Sequence, residues 1–335
     1  MSAPALFVEF VATLTLVSVS GYVLTGQIER LGARLHFTPG LLGLVVALGA
    51  DSPEVASAIS ALVHGRGDVG AGVVLGSNIF NVAALLGIGA LVAKDGIQVG
   101  RAGLSLIGGA ALLFTLIALL LVFGWLPAVV ALSLFGLVLV PYVWLTGMHE
   151  SQLARAPLPR PIRALLSKVL AEVEHDSDLG ETPKQGRLLD FLSVIPTLTA
   201  IVVGSFVMVS SAIAIGDRWH ISSAVLGTLV LATLTGIPNF VAAIHLARRG
   251  RGTAVMSEAL NSNSFNVIFG LGLPAALIGL TAPSRTGLVT VIWLPAVTVL
   301  ALFLAGRPGG LRRKGGAALV ASYLAFVLTI ILMRV

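Results

Sequence analysis

The chain has 335 residues, of which 56% are hydrophobic and only 11% charged, and its net charge is +6. A soluble domain carries roughly a quarter charged residues, so there is too little polar surface to cover a water-soluble globule, and the composition points to an all-α integral membrane protein. Cysteine is absent, which excludes disulfides, thiolate metal sites and cysteine catalysis.

A bilayer core about 30 Å thick requires about 20 apolar residues per helix. Ten stretches qualify, roughly 4–25, 38–63, 69–93, 102–123, 126–147, 189–214, 222–247, 253–280, 287–305 and 317–334. The opening MSAPALFVEF lacks the basic start of a signal peptide and is expected to enter the first span directly. Between the fifth and sixth spans lies a polar connection, 148–188, with prolines first and mixed charge after. It reads as a tether between two halves, with a short amphipathic helix at about 161–175. Seventeen of the 21 Lys and Arg residues fall on one side of this layout; Arg66, Arg218, Arg285 and Arg334 are the exceptions. The positive-inside rule then places both termini outside and the 148–188 loop in the cytoplasm of a multi-pass cell-membrane protein. It also accounts for the basic charge without nucleic acid, since no basic patch is interleaved with aromatics. The lipid bilayer and inorganic cations are the expected partners; nothing suggests a protein partner or a bound cofactor.

The second half repeats the first. LVVALGADSPEVASAI (44–59) aligns with LVLATLTGIPNFVAAI (229–244), and HGRGDVGAGVVLGSNIFNV (64–82) with RRGRGTAVMSEALNSNSFNV at its C-terminal end (248–267). Pro53 pairs with Pro238, Gly65 with Gly250, Ser77 with Ser262, Asn78 with Asn263 and Asn81 with Asn266, always 185 residues apart and without a gap. The repeated pair is spans 2–3 in one half and 7–8 in the other. An odd number of spans separates the copies, so the second enters the membrane from the opposite side. The organisation expected is two inverted five-helix repeats, 1–147 and 189–335, with the matching stretches at 40–90 and 225–275; inverted repeats of this kind are common in secondary transporters.

Interrupted segments at corresponding places in such repeats point to the ion site. Pro53 and Pro238 remove a backbone donor and clash with the preceding turn, and each suits the first turn of a restarted helix. Ser52 is expected to cap that restart, with Ala47 to Asp51 partly unwound. Exposed carbonyls at membrane depth are tolerated only inside protein or along a cavity. Carbonyls and carboxylates together suit a hard cation such as Ca²⁺ or Na⁺. Asp51 and Glu54 bring negative charge into an apolar segment, where an ionised group marks function by default. Ser77 and Asn81 share one helix face, as do Ser262 and Asn266. The bland readings are a simple proline kink and interhelical packing by Ser and Asn.

GADSPE followed by GSNIFN resembles the first alpha-repeat of the cation/calcium exchanger superfamily, the sodium/calcium exchanger group, and TGIPN followed by NSNSFN resembles the second. The resemblance implies alternating access, with Ca²⁺ moving against Na⁺ or H⁺. It carries the ligating positions onto Ala47, Ala50, Asp51, Glu54, Ser77 and Asn81, and onto Ala232, Thr235, Gly236, Asn239, Ser262 and Asn266. The family usually shows G-T-S-x-P-E in both repeats. Here Ala50 and Asp51 replace Thr and Ser, Gly236 lacks a hydroxyl, and Asn239 stands where the second glutamate belongs. Both carboxylates therefore sit in repeat one. Two carboxylates about a turn apart and shielded from water do not easily both ionise without a cation, so protons are expected to compete with the metal. Glu258 lies on the stripe of Ser262 and Asn266. It either lines the access path and restores part of the charge, or is an interfacial carboxylate near Arg251. A Na⁺/H⁺ or other divalent-cation exchanger and a degenerate, non-transporting homologue stay open as alternatives. A channel and an enzyme fit poorly: no histidine pair has metal-ligand spacing, and there is no catalytic triad or phosphate loop.

Overall fold

The computed structural model describes residues 2–148, 150–178, 188–280 and 283–333. Lys184, Arg187 and Arg334, part of the charge asymmetry above, lie outside them. Helix α1 spans Ala3–Arg34, followed by α2 (Pro39–Ala50) and α3 (Ser52–Val63). Helix α4 (Gly67–Ile79) runs through a π-helical stretch, Phe80–Leu85, into α5 (Leu86–Val92). Then come α6 (Arg101–Val122), α7 (Ala128–Thr146), α8 (Glu150–Arg155) and α9 (Arg160–Asp178). The second half holds α10 (Leu188–Arg218), α11 (Ser223–Val225), a π stretch at Leu226–Leu231, α12 (Ala232–Thr235) and α13 (Ile237–Arg248). It ends with α14 (Gly252–Phe265), a π stretch at Asn266–Gly272, α15 (Leu273–Ile278), α16 (Arg285–Ala305) and α17 (Arg313–Leu332).

The 185-residue offset seen in the motifs runs through these boundaries. It carries α3 onto α13 residue for residue, and α4, α6 and α7 onto α14, α16 and α17 to within a residue or two. Gly65 and Gly250 turn α3 into α4 and α13 into α14 with φ of 71° and 75°, a left-handed conformation that only glycine adopts without strain.

Seven helices among the described residues are long and apolar enough to cross a membrane, and nine segments qualify if each bent pair counts as one span. The 252–278 segment is comparable in length but polar at its middle, with Asn261, Ser262, Asn263, Ser264 and Asn266 all buried. Its polar groups face protein instead of lipid, so it can serve as the span expected at 253–280 although it is less apolar than the others. At 32 residues, α1 is about 48 Å long, more than a bilayer core, and it lies along α10. Gln27 Nε2 donates across that contact to Ser193 Oγ (3.0 Å) and Thr197 Oγ1 (3.1 Å).

The centre of the bundle is α4 and α14 with their π continuations, which are buried almost throughout. They approach their neighbours closely because the contacts are glycine: a Cβ at Gly76 would strike the Thr228 carbonyl, and one at Gly227 the Val69 carbonyl. Around this core, α1, α7, α10, α16 and α17 present Val8, Leu137, Val202, Phe303 and Leu324 outward, each more than half exposed. Such an apolar girdle belongs against lipid. The amphipathic helix expected at 161–175 is α9, which turns Leu166 and Val169 onto the end of the bundle where Leu106 and Ser257 lie. That is the basic end, carrying Arg30, Arg34 and Arg249.

Candidate functional site

Pro53 and Pro238 sit in the first turns of α3 and α13. Each bends its helix pair by 46°. The break is narrower than the sequence suggests. Helix α2 stays helical through Ala50, and Asp51 alone interrupts it. The Asp51 N–H still reaches the Ala47 carbonyl (2.9 Å) and its own carbonyl takes the Val55 N–H (3.0 Å). Ser52 does not cap α3. It is the first residue of that helix, and its hydroxyl donates back to the Leu48 carbonyl (3.1 Å). Only one N–H is missing, that of Pro53, so one residue suffices to absorb it, and a serine hydroxyl inside a helix readily bonds the carbonyl four residues back. In repeat two, Gly236 occupies the equivalent place with nearly the same dihedrals (φ −77°, ψ −5°, against −82° and −4° for Asp51). It has no side chain to offer the site; the Phe80 ring packs where a Cβ would point.

Seven polar side chains from the two halves meet at the crossing of these breaks with α4 and α14. Asn239 Nδ2 donates to Asp51 Oδ1 (2.9 Å) and to Glu54 Oε1 (3.3 Å). Ser262 Oγ donates to Asp51 Oδ1 and accepts from Asn81 Nδ2 (2.8 Å). Asn266 Nδ2 donates to Ser77 Oγ (3.4 Å). The last two bonds are reciprocal: the asparagine of each repeat reaches the serine of the other. Asn78 Nδ2 likewise crosses to the carbonyl of its counterpart Asn263 (3.1 Å). Both asparagine–serine pairs lie where helix meets π stretch, a local widening common at functional sites.

Every one of these groups is buried; Asp51, Glu54, Ser77, Asn81 and Asn266 have no exposed surface. Asp51 Oδ2, Glu54 Oε2, Asn81 Oδ1, Asn239 Oδ1 and Asn266 Oδ1 accept no hydrogen bond. Five sealed oxygens without a donor would cost a fold several kcal/mol, and all five are acceptors. Thr235 is buried beside them, its hydroxyl donating to the Leu231 carbonyl (2.9 Å). The Ala47 and Ala232 carbonyls take the N–H groups of Asp51 and Gly236; a carbonyl so engaged keeps a second lone pair. Ala50 is buried at the break. Among the described residues, no group of three or more His, Asp or Glu side chains is placed to hold a metal; the cluster is two carboxylates among neutral oxygens. Two cavities of about 30 Å³, one lined by Gly72, Thr228 and Thr290 and one by Tyr142, Ser257 and Asn261, do not reach it.

Two polar groups have a role that the sequence does not assign. Asn78 and Asn263 hold the repeats together, and their shared offset was the available signal. Tyr142 donates to Asn261 Oδ1 (2.8 Å), which donates in turn to Ser257 (2.9 Å); no pattern in the sequence links residues 119 positions apart. Glu258 stands one turn from Ser262, half-buried, with Oε2 sealed and unpartnered.

The family model described as "Sodium/calcium exchanger protein" matches residues 5–144 and 190–332. The chain belongs to the sodium/calcium exchanger family. It is therefore a multi-pass membrane protein of a cation-antiporter family and not an enzyme. It is 24% identical to the sodium/calcium exchanger MaX1 of Methanosarcina acetivorans over 90% of this chain and 91% of that one. It is 28% identical to the inner membrane protein YrbG of Escherichia coli over 71% and 70%. The fold is that of the sodium-calcium exchanger NCX_Mj, with a TM-score of 0.63 at 22% identity, covering 98% of this chain and 99% of that structure. Family members thus share the all-helical architecture, and the resemblance drawn from GADSPE and GSNIFN is borne out.

Proposed function

We propose that the protein is a secondary antiporter exchanging Ca²⁺ for Na⁺ or H⁺ by alternating access. Ten spans, formed by two inverted five-helix halves (1–147 and 189–335) joined by the 148–188 segment, enclose one central cation site. On this reading both termini face outward and the joining segment is cytoplasmic. The observation that carries the reading is the set of five sealed, unpartnered oxygens contributed by both halves. A buried acceptor without a donor is what a hard cation completes. Asp51 and Glu54 supply two negative charges, which balance one divalent ion. Ser77, Asn81, Thr235, Asn239, Ser262 and Asn266 supply neutral oxygens, and the backbones of Ala47, Ala50 and Ala232 border the cage.

The placement of Asn239 favours a role for protons. Its amide donates to both carboxylates from the position where the repeat motif carries its second glutamate, while Asp51 stands where the motif has serine, so both acids lie side by side in the first half, where they do not easily both ionise without a cation. Na⁺/H⁺ exchange or transport of another divalent cation is the competing assignment. A flux panel in proteoliposomes separates these: Ca²⁺, Mg²⁺, Mn²⁺ and Na⁺ under imposed Na⁺ or H⁺ gradients, with Glu54→Gln in parallel. Ca²⁺ flux driven by either gradient and lost in Glu54→Gln supports the reading. Absence of every flux from folded protein leaves a non-transporting homologue and sinks it.

A further inference from the structure

The two ends of the bundle are closed in different ways. At the end opposite the basic one, α4 meets the Leu226–Leu231 stretch backbone to backbone. Leu226, Gly227 and Thr228 are buried there, and a Cβ at Gly72 or Gly76 would strike Thr228. The 185-residue offset carries Gly72 and Gly76 onto Ser257 and Asn261 of α14, and it carries Thr228 back onto Gly43 of α2. At the basic end that contact is not made. Leu41 and Leu42 are half-buried, Gly43 is exposed, and a Cβ on Gly43 would meet no atom within 4 Å. Side chains stand where the other copy has none: Asn261 accepts from Tyr142 and donates to Ser257.

Helix α9 covers the looser junction of α2 with α14. Its Leu166 and Val169 are only 3% and 6% exposed, whereas Ile162, Ser167, Lys168 and Ala171 face outward. Together with Leu170 they wall one side of a cavity of about 30 Å³, whose other walls include Leu44, Tyr142, Ser257 and Asn261. The polar groups of the cavity all come from the bundle, and α9 contributes only apolar ones. Asn261 directly precedes the cage residue Ser262, and Leu44 lies about one turn before Ala47. The cavity therefore lies between the basic end and the cage, with α9 as its outer cover. Arg163 donates to the carbonyls of Ala156 (2.8 Å) and Leu158 (3.4 Å), so this polar anchor belongs to the lead-in of α9 and moves with it. The helix stands between the repeated elements, after α7 and before α13, and the duplicated architecture does not call for it.

We infer that α9 is a lid on the entrance to the cage from the basic end. An inorganic cation reaches the cage from that side between α2 and α14, past Tyr142, Ser257 and Asn261, once α9 has lifted Leu166 and Val169 away. The inference rests on the central-site reading above and adds to it a closure that the duplicated helices lack at one end.

The chain has no cysteine, so single introduced thiols report access. Ser257→Cys places one in the cavity under α9, and Thr290→Cys places one in the cavity at the opposite end. Each is labelled with a charged methanethiosulfonate in detergent-purified, monodisperse protein. Adding Leu166→Ala with Val169→Ala should speed labelling at 257 about fivefold or more, because access follows the ease of local opening, and should leave 290 unchanged. A rate at 257 that ignores the α9 changes overturns the lid, and so does an equal rise at 290, which is general loosening. A second arm holds the lid shut. Leu106 and Leu166 both line the cavity, and the pair Leu106→Cys with Leu166→Cys, joined by a reducible bifunctional thiol reagent, should stop Ca²⁺ flux in proteoliposomes until reductant is added. Flux at the unlinked rate through cross-linked protein also overturns the lid. A wild type without any flux removes the central-site reading, and the labelling rates still decide whether α9 guards the cavity.

Discussion

Asp51→Asn separates the two roles of the carboxylate pair, because it reverses the sign of one effect while abolishing the other. One nitrogen, Asn239 Nδ2, holds Asp51 Oδ1 at 2.9 Å and Glu54 Oε1 at 3.3 Å, so the two oxygens are at most about 6 Å apart. With an effective dielectric of about 20, two full charges at that separation repel by about 3 kcal/mol. Asparagine at 51 removes that repulsion and still accepts from Asn239 and Ser262 through Oδ1; only the unpartnered Oδ2 changes, into an amide nitrogen. Without divalent cations at pH 8, the variant should melt several degrees above the wild type. Saturating Ca²⁺ should then raise the wild type by about 3 kcal/mol, the linkage expected at a hundred times the dissociation constant, and leave the variant nearly unmoved. Thermal unfolding in detergent, followed by intrinsic fluorescence at a fixed scan rate, reads both shifts. An equal Ca²⁺-induced shift in variant and wild type would refute the assignment of Asp51 to the cation.

Three further outcomes follow from the same geometry. Asn239→Asp replaces the bridging donor with a third carboxylate, so cation-free protein should melt lower than wild type while its stabilisation by Ca²⁺ grows; a smaller Ca²⁺ shift would contradict the bridge. Protons and cations compete for Asp51 and Glu54, and only the ionised carboxylates hold the metal. The apparent Ca²⁺ affinity should thus fall as pH drops from 8 to 6, by up to about tenfold per pH unit for each proton displaced; a flat profile in binding assays counts against competition. Gly76→Ala drives a Cβ into the Thr228 carbonyl and the Ala232 side chain, and backbone does not yield cheaply, so about 1–3 kcal/mol of stability should be lost. Melting of the purified variant checks this, and an unchanged midpoint would mean that α4 and the Leu226–Leu231 stretch are less tightly apposed.

What the sequence by itself determined is the material and its duplication. Few charges over 335 residues require a membrane, and prolines, glycines, serines and asparagines repeated at one offset require two copies of a broken segment. The residues of the cage were legible for the same reason: Asp51 and Glu54 have no place in an apolar helix unless they do something there, and Ser77 and Ser262 kept their spacing through the duplication. The extent of each break was not legible, because Pro53 removes a single N–H and the sequence does not say whether one residue or five will absorb the loss. Nor was the burial of Asn261 to Ser264 and Asn266 against protein, although 253–280 was read as a span. Only the tertiary structure decided that the asparagine of each half bonds the serine of the other, that one amide of Asn239 spans both carboxylates, and that the Ser262 hydroxyl reaches Asp51. Those are contacts between chain positions up to more than two hundred residues apart, set by how four helices cross, and composition and local periodicity carry no record of a crossing.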